Sequence, residues 1–549
     1  MKNMQSLVEN SMLWAAYGDA LGFITELADE VSGVKWRSGN IAVQNTIPWR
    51  RKLGGLFGVT AKFPAGTYSD DTQLRLATSR AISANGMFDV EAFAKIELPL
   101  WNCYALGAGR GTKDAALNLT KKNVRWNSNF YKASKGGRNY IDSGGNGAAM
   151  RVQPHVWANL DKNNFSVIAN DVVRNAITTH GHPHAIIGSV FHALCLYEVL
   201  KLGIVPSPES WVELAIRSAD YTLQSIQNDS DLSTVWLSQW NNISGKSYID
   251  THNATALEIK TMAVSISLYF KNNISYKMLA EEFDASNPNI RGMASLTSLL
   301  AIAAAFIQTT QNENTILEVV NCLGTDTDTI ATMAGALIGA VSQIKPSGAL
   351  QDINLLVNEA NRLVDISEGK VTRKFQYPSL LTWRAPSKFS ELVKKIDGSL
   401  IIPGLGEVVI NEKVGEAQGV TWAWSTLSFG QTIIIKLSDQ FERLSNNQFP
   451  ILPYESNGNL RNKIEFIASN KQMSFDKLTH FHDVNEFVKL DANKAFELAK
   501  RANFAADEIG KLIIELTKLD NQMLETVSAF SILISKAILE RSKKMSDKI

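Results

Sequence analysis

From its start to about Arg384 the chain repeats apolar residues at three- and four-residue spacing, which commits this part to helices. The pattern is clearest in Asp89–Leu106, Asp171–Leu202, Ser210–Gln227, Ala256–Phe270, Met293–Gln308 and Thr325–Gln343. Polar or glycine-rich stretches such as Ser128–Gly147 separate these segments. Few segments alternate with period two, so an all-α domain is expected over residues 1–385. The texture changes after Pro386. Ser399–Ile402, Glu407–Ile410, Val420–Trp424 and Thr432–Leu437 are short β-branched or aromatic runs between glycines, which predicts a small sheet at about 399–437. Trp422 and Trp424 alternate on one strand face and read as core rather than as ligand stackers. Helical periodicity returns at about 455–545, most strongly in Ala502–Leu519 and Gln522–Arg541. The expected architecture is mainly α, with a smaller C-terminal α+β accessory region over 386–549.

Composition narrows the function. Lys and Arg number 55 against 54 Asp and Glu, so bulk electrostatics give no reason to expect nucleic acid or an acidic membrane as partner. Cys103, Cys195 and Cys322 form no close pair, which fits a reducing cytoplasm better than a disulfide framework or a zinc-thiolate site. The N-terminus meets Glu9 before any long apolar run and does not read as a signal peptide. The longest uncharged stretch, Gly292–Asn312, carries several hydroxyl and amide residues and reads as a buried helix rather than a bilayer span. A soluble cytoplasmic protein is expected. The C-terminal helices would pack on the core or a second subunit, or recognise a protein partner.

Two acidic clusters stand far apart in sequence. The first is Tyr68-Ser69-Asp70-Asp71-Thr72-Gln73, and the second Gly324-Thr325-Asp326-Thr327-Asp328-Thr329, followed at once by the apolar run Ile330–Val341. Both place carboxylates and a hydroxyl at a loop-to-helix junction, where Ser, Thr and Asp are preferred caps. Capping accounts for one such residue, and not for two adjacent acids or an interleaved pair. Clustered like charges cost stability unless neutralised, and hard oxygen ligands suit Mg²⁺, Mn²⁺ or Ca²⁺. The second cluster is not an EF-hand loop, because Ile330 and Ala331 stand where an acid and Gly are needed. If both clusters act, the fold would bring them into one two-metal site.

The stretch Asp142-Ser143-Gly144-Gly145-Asn146-Gly147-Ala148-Ala149-Met150-Arg151 is either a flexible turn or an anion site suited to a diphosphate. It lacks the Gly-Lys-Ser/Thr of a P-loop, and Gly107, Gly109 and Gly111 miss the dinucleotide spacing. His180, His182 and His184 invite a zinc reading, but Pro183 interrupts them and no acid or cysteine nearby completes the set. One of these histidines lining a ligand cleft, with the others capping or solvated, is the simpler expectation. His480 and His482 read as surface residues.

The ordered set of motifs resembles the ADP-ribosylglycohydrolase family, the group of dinitrogenase reductase-activating glycohydrolase and the ADP-ribosyl-acceptor hydrolases. The set is Gly18-Asp19-Ala20-Leu21-Gly22, Tyr68-Ser69-Asp70-Asp71-Thr72, Gly145-Asn146-Gly147-Ala148-Ala149-Met150-Arg151, Thr179-His180 and Asp326-Thr327-Asp328-Thr329. Each motif is weak alone; together and in order they are specific. The resemblance implies an orthogonal all-α bundle with a binuclear Mg²⁺ or Mn²⁺ centre at the bottom of a cleft. Ser69, Asp70 and Asp71 match one ligand group, and Asp326, Asp328 and Thr329 the other, with Asp328 as bridge. Ser143, Gly144, Asn146, Gly147 and Arg151 match the loop around the diphosphate and distal ribose of ADP-ribose, and His180 a histidine near the same ligand. Glu26 falls where members carry a metal-proximal acid. Ser69 replaces the usual threonine and Thr325 the usual second glycine, and neither change removes a ligand. The region after 386 lies outside the resemblance.

The expected reaction is hydrolysis of the glycosidic bond between ADP-ribose and a modified acceptor, with Asp71 or Glu26 accepting a proton from the attacking water. The acceptor, protein or otherwise, is set by the cleft mouth, formed by loops such as Trp36–Gly58 and Trp126–Arg138. A non-catalytic ADP-ribose or nucleotide-binding module acting through its C-terminal extension is the competing expectation.

Overall fold

A computed structural model describes residues 4–437 except 56, 108, 271–274, 312–313, 371, 373–374 and 397–398; beyond 491 it describes 492–501, 504, 506–517, 526–535 and 537. The principal elements are α1 (Met4–Thr25), the hairpin β1 (Trp49–Leu53) and β2 (Val59–Phe63), α2 (Asp70–Arg80) and α3 (Arg110–Leu119). Then come α4 (Phe165–Ile177), α5 (Pro183–Leu202), α6 (Pro208–Asn228), α7 (Tyr248–Tyr269), α8 (Ala294–Gln311), α9 (Thr327–Gly339) and α10 (Ile353–Ser367). Strands β3 (Lys394–Ile396), β4 (Ser399–Ile402), β5 (Gly406–Ala417), β6 (Val420–Leu427) and β7 (Thr432–Leu437) follow. The architecture is mainly α, as the helical periodicity predicts.

Helices α1 and α9 are hydrophobic or small on nearly every side, so both are buried, and their packing is the most extensive helix–helix contact among the described elements. Helix α5 is long and apolar enough to cross a membrane, and most of it is buried inside the protein. The stretch Asp171–Leu202, which reads as one segment, is two helices. Thr178–His182 separates them, with Pro183 at the first turn of α5, where a missing N–H costs nothing.

The sheet has the order β3-β4-β5-β6-β7, with each neighbouring pair antiparallel, and its strands fall where the β-branched runs predict. The hairpin β1–β2 went unpredicted. Trp49–Leu53 carries three cations in five residues, which hides a strand whose partner Val59–Phe63 alternates buried and exposed. An aromatic chain joins hairpin, sheet and α1. Trp424 of β6 meets Phe63 edge-on, Phe63 meets Trp49, and Trp49 meets Phe23, at centroid separations of 5.4, 4.8 and 5.1 Å. Trp424 is thus core, and its indole N–H also donates to Lys62 O (3.2 Å).

These contacts carry compact packing past the change of texture at 386. The first compact unit is Met1–Leu460, and the second Arg461–Ile549. In the second, Ala492–Arg501, Ala506–Thr517 and residues 526–535 are helical and bury Ala495, Ala499, Leu516, Phe530 and Ile534. The predicted helix Ala502–Leu519 corresponds to the described Ala506–Thr517. Residues 455–491, with His480 and His482, and the basic end of the chain lie outside the described residues.

Candidate active site

The site begins with the crossing of α1 and α9. A Cβ on Gly22 would lie 2.4 Å from Asp328 Cα, and one on Gly335 2.3 Å from Trp14 O; Gly18 and Gly339 meet the opposite backbone as closely. Only glycine permits such an approach. Hydroxyls seal the seam: Ser11 Oγ donates to Ala336 O (2.7 Å), Thr332 Oγ1 to Ala15 O (2.7 Å) and Thr327 Oγ1 to Gly22 O (3.1 Å). The second acidic cluster is thereby pressed against the end of α1, which carries Asp19 and is followed at once by Glu26.

Asp19 sets the first cluster. Its buried carboxylate accepts the Ser69 N–H (2.8 Å), the Thr72 N–H (2.9 Å) and the Thr72 hydroxyl (2.6 Å), so it caps α2 from another helix. Ser69 Oγ accepts the Asp71 N–H (3.2 Å), and the Asp70 N–H donates to Leu106 O (2.8 Å). Capping is therefore accomplished without either Asp70 or Asp71. Asp71 Oδ2 is buried with no hydrogen-bond partner. Beneath them lies the buried guanidinium of Arg75, bonded to Thr72 Oγ1, Gln153 Oε1, Met150 O and Thr332 Oγ1. Burial lowers Arg75 to about 10, so it remains a cation at neutral pH and offsets Asp19 and Asp71.

In the second cluster Asp326 occupies the cap position of α9, yet its side chain caps nothing. Its Oδ2 accepts instead from Asn146 Nδ2 (2.9 Å), and Asn146 also reaches Thr297 Oγ1 (3.1 Å). Asp328 Oδ1 accepts the Thr329 N–H (2.9 Å), and Thr329 lies buried beside it. Glu26 pairs with Arg51 of β1 through Oε2 (2.7 Å), and Arg51 lies over the Phe23 ring. A Cβ on Gly107 would sit 2.6 Å from Asp70 Oδ1 and 3.6 Å from Glu26 Oε2, so these two acids face one another across that glycine.

Glu26, Asp19, Asp70, Asp71, Asp326 and Asp328 outnumber the guanidinium groups of Arg37, Arg51, Arg75 and Arg151 whose charges reach them. Burial, reinforced by neighbouring carboxylates, pushes Asp71 and Asp328 well above the ordinary aspartate range. Asp326 is raised by burial and partly restrained by the hydrogen bond from Asn146. Such a cluster of hard oxygens fits a divalent cation in its chemistry, and the partnerless Asp71 Oδ2 is the kind of atom a cation would satisfy. Among the described residues, no group of three or more His, Cys, Asp or Glu side chains is already closed around a point that could hold a metal ion.

The glycine loop runs beside Asp326. Asn146 N–H donates to Gly292 O (2.9 Å), and a Cβ on Gly147 would lie 2.6 Å from Thr112 Oγ1. Ser143 lies within hydrogen-bonding reach of Tyr131, and Gly144 O accepts the Ala294 N–H (3.1 Å). Arg151 is not in the cleft. It is fully buried under the loop and donates to Gly147 O (2.7 Å), Asn175 Oδ1 (2.8 Å), Asn175 O (3.1 Å) and Thr179 Oγ1 (2.7 Å), so it supports the loop from beneath. His180 Nδ1 lies 2.7 Å from Thr179 Oγ1, while burial and Arg151 push the ring down to about 3. The Thr179 hydroxyl also accepts from Arg151 Nη2 (2.7 Å) and reaches Ala176 O (3.5 Å). The Nε2 of this neutral ring faces Gly145 and Gly147.

Beyond Gly144 a cavity of about 290 Å³ is lined by Arg138, Asp142, His182, His184, Glu258 and Met293, among others. His182 and His184 stack with centroids 5.2 Å apart and an 11° interplanar angle. Both are pushed to about 4, chiefly by burial, so the 3.2 Å contact of His184 Nε2 with Glu258 Oε2 is made by a neutral ring at pH 7. Two histidines, not one, line this cavity, and His182 also caps α5.

The sequence model of the ADP-ribosylglycohydrolases matches residues 2–359. The chain belongs to the ADP-ribosylglycohydrolase family. One solved structure, described as an ADP-ribosylglycohydrolase-related protein complex, is similar over 67% of this chain and 100% of its own, at 18% identity and a TM-score of 0.40. No curated protein matches the chain. As an ADP-ribosylglycohydrolase the chain is a glycohydrolase, and the matched span holds Glu26, both acidic clusters and the glycine loop. Three residues of the site went unpredicted. Asp19 stands inside a quoted motif without an assigned role, while Arg51 and Arg75 carry no local signature, because only folding brings them to the acids.

Proposed function

We propose that this ADP-ribosylglycohydrolase is a Mg²⁺-dependent hydrolase that removes ADP-ribose from a modified acceptor, an ADP-ribosylated protein or another ADP-ribosyl conjugate. The observation that carries the reading is the juxtaposition of two acidic clusters, one fixed by Asp19 and the other by the Gly22–Asp328 contact, around a buried carboxylate oxygen without a partner. Ser69, Asp70 and Asp71 with Asp326, Asp328 and Thr329 would hold two ions; when bound, Mg²⁺ or Mn²⁺ would orient the ribose hydroxyls and offset the carboxylate charge.

The chain's own groups do the rest. The glycine loop offers the backbone N–H groups of Gly144 and Gly147 to a diphosphate, those of Ser143 and Asn146 being held by Tyr140 O and Gly292 O, and His180 Nε2 faces the same loop. Binding energy collected there, and in the cavity of the stacked His182 and His184 rings, holds the glycosidic bond against the acids. Glu26 or Asp71 accepts the proton of the attacking water. Arg51 fixes the Glu26 carboxylate through their ion pair, which suits a base at the entrance, whereas Asp71 lies deeper.

The test is release of ADP-ribose from a panel of ADP-ribosylated acceptors, with Mg²⁺ titrated against chelator. Wild type should turn over at least one linkage only with the cation present. Glu26→Gln should lose turnover while retaining ADP-ribose binding; saturable binding by wild type with no turnover on any linkage would contradict the proposal.

A further inference from the structure

The turn that carries Ser69, Asp70 and Asp71 is tied to the sheet that follows the family-matched span. Tyr68, buried immediately before the turn, donates its hydroxyl to Asp352 Oδ2 (2.6 Å). The same carboxylate accepts the Thr432 N–H on Oδ2 and the Thr432 hydroxyl on Oδ1, both at 2.7 Å. Thr432 is the first residue of β7, well beyond residue 359 where the family match ends.

Neighbouring contacts make this a clamp rather than a single bond. Gly66 approaches so closely that a Cβ there would lie 2.3 Å from Ala349 O, and the Gln351 N–H donates to Gly66 O (3.0 Å). Gln351 Nε2 also reaches Thr432 O (3.3 Å). Asp352 itself holds a left-handed backbone, φ 56°, a conformation that side-chain-bearing residues keep when their surroundings demand it. The far end of α2 is anchored to the same strand region. Arg80, bidentate to Glu97 at 2.8 and 2.7 Å, donates to Gln431 Oε1 (2.7 Å) and lies over the Phe429 ring.

We propose that residues 429–432 are positioning elements of the active site: Thr432 fixes Asp352, Asp352 fixes Tyr68, and Tyr68 sets the Ser69–Asp71 turn. The helix bearing the first acidic cluster is thus held at both ends by chain that lies outside the family's span. The consequence for cation binding rests on the function proposed above; the positioning of the turn does not.

The experiment uses the full chain and the variants Thr432→Val, Thr432→Ser and Tyr68→Phe. Ile435→Val, buried in β7 away from the clamp, serves as a control for general loss of stability. Amide hydrogen exchange of the peptide spanning 66–74 is read by mass spectrometry without added metal, and Mn²⁺ binding by titration. Thr432→Val and Tyr68→Phe should speed exchange at 66–74 and weaken Mn²⁺ binding, each by about fivefold, the effect of losing one buried hydrogen bond. Thr432→Ser should restore both, and Ile435→Val should change neither. Unchanged exchange at 66–74 in both disruptive variants would overturn the proposal, whatever their melting temperatures. A wild-type chain that takes up no Mn²⁺ would sink the metal-dependent function instead, and the exchange data would still decide the positioning.

Discussion

The two acidic clusters are built by different means. The first is clamped from outside its own helix: Asp19 takes three donors of the turn, Leu106 takes the Asp70 N–H, and Arg75 lies beneath. The second depends on where its helix runs. Asp326 accepts from Asn146 and lies in hydrogen-bonding reach of Thr329, Asp328 accepts from the neighbouring N–H, and the glycine seam of α1 and α9 determines their place. One cluster is oriented by hydrogen bonds, the other delivered by backbone packing. A site made in this way should respond to steric change on one side and to polar change on the other.

The largest effect should come from Gly22→Ala. Its methyl group would meet the Asp328 backbone, which cannot yield as a flexible side chain could, so a loss of about 3 kcal/mol or more is expected. Thermal unfolding reads this directly. A Gly22→Ala protein with wild-type melting and activity would break the claim that the seam delivers the second cluster.

Asp19→Asn comes next. It keeps the shape but places an amide where the Ser69 and Thr72 donors need acceptors, and a loss of about 1–3 kcal/mol follows from each donor left unpaired. Metal affinity or turnover should fall about 10- to 100-fold, as for other residues that orient ligands. An unchanged Mg²⁺ requirement would remove Asp19 from that role.

Asn146→Ala should act more narrowly. Asp326 loses a donor at 2.9 Å and the loop loses its tie to the second cluster, so affinity should fall by about tenfold with little change in melting. Equal losses in stability and affinity would mean that Asn146 merely holds the fold.

The smallest effect is one of pH, read as the difference between wild type and Asp328→Asn without metal. Burial and neighbouring acids raise Asp328 above its unfolded value near 4, so the folded chain holds this proton more tightly than the unfolded chain does. Its contribution to stability is full below about pH 4 and is lost as pH rises through the folded value. The variant should therefore melt close to wild type in acid and a few degrees above it at neutral pH, and Mg²⁺ should reverse that order. A pH-independent difference would show that Asp328 is not crowded by charge.

Much of this was legible from residues. Helices on a three-and-four spacing and strands between glycines at 399–437 sit close to where they were read, because both patterns follow from burying one face. The acids were legible because the capping role is too small for them, and the structure gives that role at α2 to Ser69 and Asp19. Arg151 was misplaced, since an arginine beside a glycine loop reads the same whether it faces a ligand or supports the loop. Asp19, Arg51 and Arg75 were hidden for the same reason: their partners lie on other elements, and one sequence does not show which elements meet.

The measurement that tests the central claim most directly is ADP-ribose release by wild type and by the double variant Asp326→Ala/Asp328→Ala, each chelated and then resupplied with Mg²⁺. Wild type should lose turnover on chelation and regain it with the cation, while the folded double variant stays inactive in both conditions. Release at the wild-type rate by the double variant, or by chelated wild type, would contradict a site in which two acidic clusters serve a divalent cation.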